Sequence, residues 1–321
     1  MSSVVYVYSI GMPLAEEVHD DYSEISKFLR YRLPGLPDVA RSWEEQIAAG
    51  PAIHYVDDGM PQPTGHAIEL LIDLDLANNP VRTALLKWLP PIERRFVLQA
   101  SGIEVGEDIA AYAEPIQAQW RRFDRPERLD EAQQIVLDAC YYLGAIMHLL
   151  RTDWLFRHIA ECNIDTLRYV ESDEPQTIVA PEMLRRSWQF YLDYGRKQFQ
   201  VLGQRSQIAP VIAKGYAVGD VVQGETLIDI KAERDPKARM LPKLRQVMAY
   251  ALLDKADQFG IRSVGIYSAF QCLLVSNNLE SILAASTSGS TPQLAELRET
   301  LCGRMQTKLA IAKENARGII W

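Results

Sequence analysis

Residues 219–250 read GDVVQGETLIDIKAERDPKARMLPKLRQVMAY, and this stretch decides the fold. Residues 217–222 and 226–232 are short runs rich in Val, Ile and Thr, separated by Gln223-Gly224-Glu225, so the spacing predicts a β-hairpin. Side chains alternate along a strand, which sends Ile228 and Ile230 to one face and Asp229 and Lys231 to the other. A tight turn at Gly224 brings Asp220 opposite Asp229, within one residue of register. Residues 242–259 then predict an amphipathic helix, with Pro242 in its first position and Gly260 as its stop. Leu244, Val247, Met248, Ala251 and Leu252 form its apolar stripe, and Gln246 and Tyr250 share a face at i, i+4. Residues 261–268 and 271–276 read as two further strands.

The chemistry follows from the crowding of acids. Two carboxylates facing each other across a hairpin raise each other's pKa unless a cation lies between them. A hard divalent ion with oxygen ligands suits such a pair, and Mg²⁺ is commonly held by one or two carboxylates plus substrate phosphate oxygens. That combination predicts metal-dependent cleavage of phosphodiester bonds. Lys231 is placed to hold the attacking water or to stabilise transition-state charge. Gln246 is the expected hydrogen-bond donor to a nucleic-acid strand and Tyr250 its stacking partner. Taken singly, Asp229 and Lys231 would be an ordinary ion pair, and Gln246 and Tyr250 a helix-surface pair. Together with Leu227, Ile228 and Ile230 flanking the acid, they place a carboxylate in a central strand, where it needs a cation or a partner.

The order Gly-Asp, Asp-x-Lys, Gln-x-x-x-Tyr, strand pair resembles the PD-(D/E)XK nuclease superfamily, in particular its RecB-type exonuclease branch. The match covers roughly residues 215–276, and it is the order and spacing of the motifs that make it specific. The resemblance implies that Asp220 and Asp229 bind Mg²⁺ or Mn²⁺ together with the carbonyl of Ile230, and that Lys231 acts on the attacking water. It also implies that Gln246 and Tyr250 support the site and contact DNA. Family members carry an upstream Gly-x-x-x-Glu/His helix that supplies another ligand. Gly65-His66-Ala67-Ile68-Glu69 fits this with Glu69, and His66, one turn earlier, is the substitute. Residues 23–35 (SEISKFLRYRLPG) are similar to the Ser-rich segment upstream in that branch but lack its cysteine. Only Cys272 and Cys302 lie towards the C-terminus, so no iron–sulfur cluster is expected.

The implied fold is α/β: a restriction-endonuclease-like mixed central sheet flanked by helices, with a large, mostly helical N-terminal region. Residues 1–75 hold a first strand and the first core helix, 76–200 a helical insertion, and 201–321 the catalytic core. Helices are expected at 82–98, 105–120, 128–150 and 181–202, and another at about 293–312 after the short linker 285–292. His158 and Cys162, four apart, lack the second pair a zinc site needs, and His148 sits in an apolar run. Trp188, Phe190, Tyr191, Tyr194 and Phe199 fall at helical spacing, which favours packing over base stacking.

A chain of 321 residues with four scattered cysteines reads as a reduced, cytoplasmic protein. It has no apolar run of the roughly 18 residues that span a bilayer, so no membrane partner is expected. The opening residues read as a strand, not a signal peptide. The net charge of −8 excludes a general nucleic-acid coat protein. Residues 181–250, however, carry twelve Lys or Arg against seven Asp or Glu, a local excess of five that leaves −13 for the rest. A basic surface around an acidic pocket suits an enzyme acting on a phosphate backbone. The resemblance implies an exonuclease-like, Mg²⁺- or Mn²⁺-dependent deoxyribonuclease; the residues themselves leave DNA versus RNA and exonuclease versus endonuclease open. The alternatives are a non-catalytic nucleic-acid-binding or assembly module on the same fold, and a helical interaction protein. Oligomeric state and protein partners are not legible.

Overall fold

The computed structural model describes residues 13–51, 61–76 and 180–310 apart from 209, 214, 215, 236, 237 and 288–290, together with positions 137, 140, 141 and 144. Four helices come first: α1 (Pro13–His19), α2 (Glu24–Arg32), α3 (Leu36–Ala49) and α4 (Pro61–Leu76). Later come α5 (Glu182–Phe190), a π-helical turn (Tyr191–Gly195) and α6 (Arg196–Gln200). The strands are β1 (Ser206–Ile208), β2 (Val211–Ile212), β3 (Ala217–Val218), β4 (Val221–Gln223), β5 (Thr226–Lys231), β6 (Ser263–Ser268) and β7 (Leu273–Asn278). Helix α7 (Met240–Leu253) connects β5 to β6, and α8 (Leu279–Ser286) and α9 (Leu294–Arg304) follow β7.

Five strands form a mixed sheet in the order β1-β4-β5-β6-β7, and β2 pairs separately with β3. Among the described strands only β5 and β6 run parallel. A parallel pair needs a crossover, and α7 supplies it. Being central, β5 is covered on both faces, so Thr226 to Ile230 are all buried. The β5–β6 register sorts the faces. Asp229 is the partner of Ile266, which lies in the core beneath α7 with Leu244 and Val247. Ile230 is the partner of Tyr267, whose ring meets Phe199 and Tyr191 at centroid distances of 5.0 and 6.1 Å on the opposite side. Helices α1, α2, α3 and α9 pack on α7 on the first face, and α5, the π turn and α6 cover the second.

Several expectations are corrected. The strand expected over 217–222 is two strands in different sheets, because the chain bends at Gly219-Asp220. Helix α7 ends at Leu253, not 259, because the Asp254 carboxylate takes the amides of Gln258 (2.8 Å) and Phe259 (3.2 Å) into a turn. Pro242 sits third in α7, where its missing N–H has no helical acceptor to lose. The helix expected over 181–202 is interrupted by the π turn. Trp188, Tyr191 and Phe199 there are buried core residues, as their spacing suggested. This segment packs on the sheet through Tyr191 and Phe199, which meet the Tyr267 ring. The helices expected at 82–98 and 105–120, the opening strand, His148, His158 and Cys162 lie outside the described residues, as does most of 128–150. Cys140, Cys272 and Cys302 are buried free thiols. Among the described residues no helix is long and apolar enough to cross a membrane.

The hairpin turn is held by Gly224, whose φ of +59° belongs to the left-handed region. A Cβ there would also collide with the Leu202 carbonyl, whereas at Gly260 (φ +63°) it would meet nothing within 4 Å. Gly224→Ala is therefore expected to destabilise the protein by about 2 kcal/mol or more, and Gly260→Ala by only about 1 kcal/mol. Urea unfolding measures both, and equal losses would contradict the clash.

Candidate metal centre

The site is built where β4 ends. The β4–β5 ladder pairs Gln223 with Thr226, Val222 with Leu227 and Val221 with Ile228. Continued by one residue, that register sets Asp220 opposite Asp229, as the sequence predicts. Beyond Val221 the strand no longer pairs, and the Asp220 carboxylate takes over. Its Oδ2 accepts the Ile230 N–H at 2.6 Å. Ile230 thus contributes its amide, between Asp229 and Lys231, while its side chain is buried on the aromatic face.

Asp229 is 2% exposed, and Lys231 Nζ lies 2.8 Å from its Oδ2. This ion pair gives the buried Asp229 carboxylate its counter-charge. Alternation along β5 accounts for the pair: both side chains emerge on the α7 face.

Glu69 arrives from α4. A Cβ on Gly65 would sit 3.6 Å from the Ala232 side chain, so the start of this helix rests against the end of β5. The far end is pinned by Asp75, which accepts Arg196 Nε and the Tyr191 hydroxyl, each at 2.9 Å. Between these anchors Glu69 is buried and its charge acts on both aspartates. His66 Nδ1 lies 3.5 Å from Glu69 Oε2, one helical turn away, so it backs the glutamate.

The third contribution is from α7. Gln246 Nε2 donates to the Tyr250 hydroxyl at 2.9 Å, and both side chains are buried. The Tyr250 ring is only 6% exposed and is part of the core, so its face is closed to a base. This corrects the stacking role expected for it. Its hydroxyl, in contrast, lies within the field of Asp229 and Asp220. Sequence reasoning missed Lys243, one turn before Gln246. Its ammonium is buried 2.6 Å from Glu233 Oε2 and its charge acts on Asp229. The i, i+3 spacing to Gln246 is the signal that was available. Asp73, buried one turn after Glu69, was missed in the same way.

The electrostatics follow from this enclosure. Burial first, then Glu69 and Asp229, pushes the Asp220 carboxyl well above the usual range. Burial also raises Asp229, with Lys231 opposing and Glu69 adding to the rise. Burial alone would lower the Lys231 ammonium, but the Asp229 and Asp220 carboxylates more than reverse this. Lys231 is thus a firmly protonated cation among acids. Burial, Asp229 and Asp220 likewise raise the Tyr250 hydroxyl.

The donor set fits a hard divalent cation: buried carboxylates that raise one another's pKa. Among the described residues no three acidic, imidazole or thiol side chains converge closely enough to enclose an ion by themselves. Mg²⁺ sites commonly use only one or two carboxylates and complete the shell with water and substrate.

The raised Asp220 carboxyl has a consequence for stability. The folded protein binds a proton there that the unfolded chain has already released. Its stability in EDTA therefore falls as pH rises from about 4, the ordinary aspartate range, through the raised value. Asp220→Asn keeps an oxygen for the Ile230 amide and removes the charge. Its urea midpoint at about pH 8 should exceed that of the wild type, with a flatter pH profile. A lower midpoint would contradict the crowding of acids.

Neither a family model, nor a curated protein, nor a solved structure matches this chain, so the functional reading rests on the geometry of these residues.

Proposed function

We propose that the protein is a metal-dependent nuclease hydrolysing phosphodiester bonds in DNA, on a restriction-endonuclease-like core. The reading is carried by one observation: Asp220, bonded to the Ile230 amide at 2.6 Å, lies within the field of the buried Asp229, whose carboxylate is 2.8 Å from Lys231 Nζ. The resemblance of the Gly-Asp, Asp-x-Lys and Gln-x-x-x-Tyr motifs to the PD-(D/E)XK superfamily agrees with it.

Asp220 and Asp229 would hold Mg²⁺ or Mn²⁺, with Glu69 and the Ile230 carbonyl as further oxygen donors. Bound there, the ion supplies Lewis acidity towards a phosphate oxygen and lowers the pKa of a coordinated water. Lys231, paired with Asp229 at 2.8 Å, orients the water that attacks phosphorus and neutralises charge on the phosphate as the new P–O bond forms and the bond to the leaving oxygen breaks. The water's proton leaves towards solvent or the leaving oxygen. The Tyr250 hydroxyl, having accepted Gln246's hydrogen, keeps its own O–H to donate towards the carboxylates. Lys243, paired with Glu233 at 2.6 Å, adds a second positive charge acting on Asp229 from α7.

Purified protein with single-stranded and plasmid DNA in Mg²⁺ or Mn²⁺ tests this. Wild type should cleave, and Lys231→Ala and Asp229→Ala should each lose at least about 100-fold in rate while still folding. Wild type that cleaves in neither metal, or variants that cleave as wild type does, would overturn the reading.

A further inference from the structure

Burial of the Tyr250 ring leaves open which side chain receives an unpaired base. The described residues include three large, well-exposed aromatic side chains: Tyr22, Tyr31 and Tyr194. Tyr194 belongs to the π turn on the opposite sheet face, and Tyr31 lies at the far end of α2, where Arg32 pairs with Glu296 of α9. Tyr22, 81% exposed, lies in the turn between α1 and α2, three residues from His19. Beside Tyr22, Asp21 pairs with Arg245 of α7 at 3.0 Å, one residue before Gln246, so the turn lies against the helix that carries Gln246 and Tyr250.

This turn is held in shape. The Tyr22 N–H donates to Asp20 Oδ1 at 2.8 Å and the Ser23 N–H to the Asp20 carbonyl at 3.0 Å. Ser23 caps α2 by accepting the Ser26 N–H at 3.0 Å. Arg245 of α7 pairs with Asp21 at 3.0 Å and Arg30 donates to the Asp21 carbonyl, so one of the two acids in the turn is neutralised. Arg239 is exposed at the start of the same helix, α7, with φ +59°. A ring presented on a rigid turn against α7, with an exposed guanidinium at that helix's start, matches the aromatic-plus-cation arrangement of single-strand binding surfaces.

We propose that Tyr22 stacks on an unpaired base of single-stranded DNA while Arg239 and His19 contact its phosphates, delivering the strand to the pocket. The proposal rests on the nuclease reading for the identity of its ligand, but it can be tested without catalysis. A fluorescein-labelled single-stranded oligothymidylate and a blunt duplex of equal length are titrated in EDTA and followed by anisotropy. Wild type should bind the single strand more tightly than the duplex. Tyr22→Ala should raise the single-strand Kd by roughly 5- to 150-fold, and Tyr22→Phe, which keeps the ring, should bind as wild type. Arg239→Ala should reduce the slope of log K against log salt by about 0.7, the share of one phosphate contact. Tyr22 is exposed, so none of this should shift the unfolding midpoint. The proposal is overturned if wild type does not bind, if Tyr22→Ala binds as wild type, or if Phe fails as badly as Ala. Tyr22-dependent binding without cleavage in any metal would uphold the platform and remove the nuclease reading. Cleavage with Tyr22-independent binding would do the reverse.

Discussion

Mutual repulsion among buried carboxylates is the constraint on which the rest of the structure depends. Asp220, Asp229 and Glu69 come from three separate segments, and each is held where its charge raises the energy of the others. A fold selected only for stability would replace such acids with apolar or amide side chains. Here the acids are kept, and the surroundings are arranged to bear them. The Ile230 amide serves Asp220, the Lys231 ammonium offsets Asp229, and a buried lysine acts from α7.

The architecture explains why these positions are so well fixed. Strand β5 is central and parallel to β6, so its side chains cannot slip by one residue without turning Asp229 and Lys231 into the aromatic face. The sheet register places Tyr267 next to Ile230, and the Tyr191–Phe199–Tyr267 cluster then locks that face. The same cluster reaches the site by a second route. Tyr191 donates to Asp75, which fixes the end of the helix that carries Glu69. A crossover helix, α7, seals the other face. It is buried almost throughout, so polar groups on it are enclosed with the acids.

What was legible in the sequence was mostly local. The period of two along Ile228-Asp229-Ile230-Lys231 placed Asp229 and Lys231 on one face, and Gly224 marked the hairpin that pairs Val221 with Ile228. Both follow from a period of two and a turn residue with positive φ. The end of α7 was not legible, because Asp254 captures amides in competition with the helix. Nor was the burial of Tyr250, since an i, i+4 pair looks alike on a free face and under other helices. The Asp75–Arg196 anchor joins residues 121 apart, and no local pattern signals a contact of that range. Glu69 was found through the motif resemblance, since a glycine four residues before an acid carries little information by itself.

Calorimetric titration with Mn²⁺ at neutral pH, comparing wild type with Asp220→Asn and Asp229→Asn, tests most directly the proposal that these acids hold a divalent cation. The account predicts one saturable site in the wild type and its loss in both variants. No binding by wild type, or equal binding by all three proteins, would contradict it.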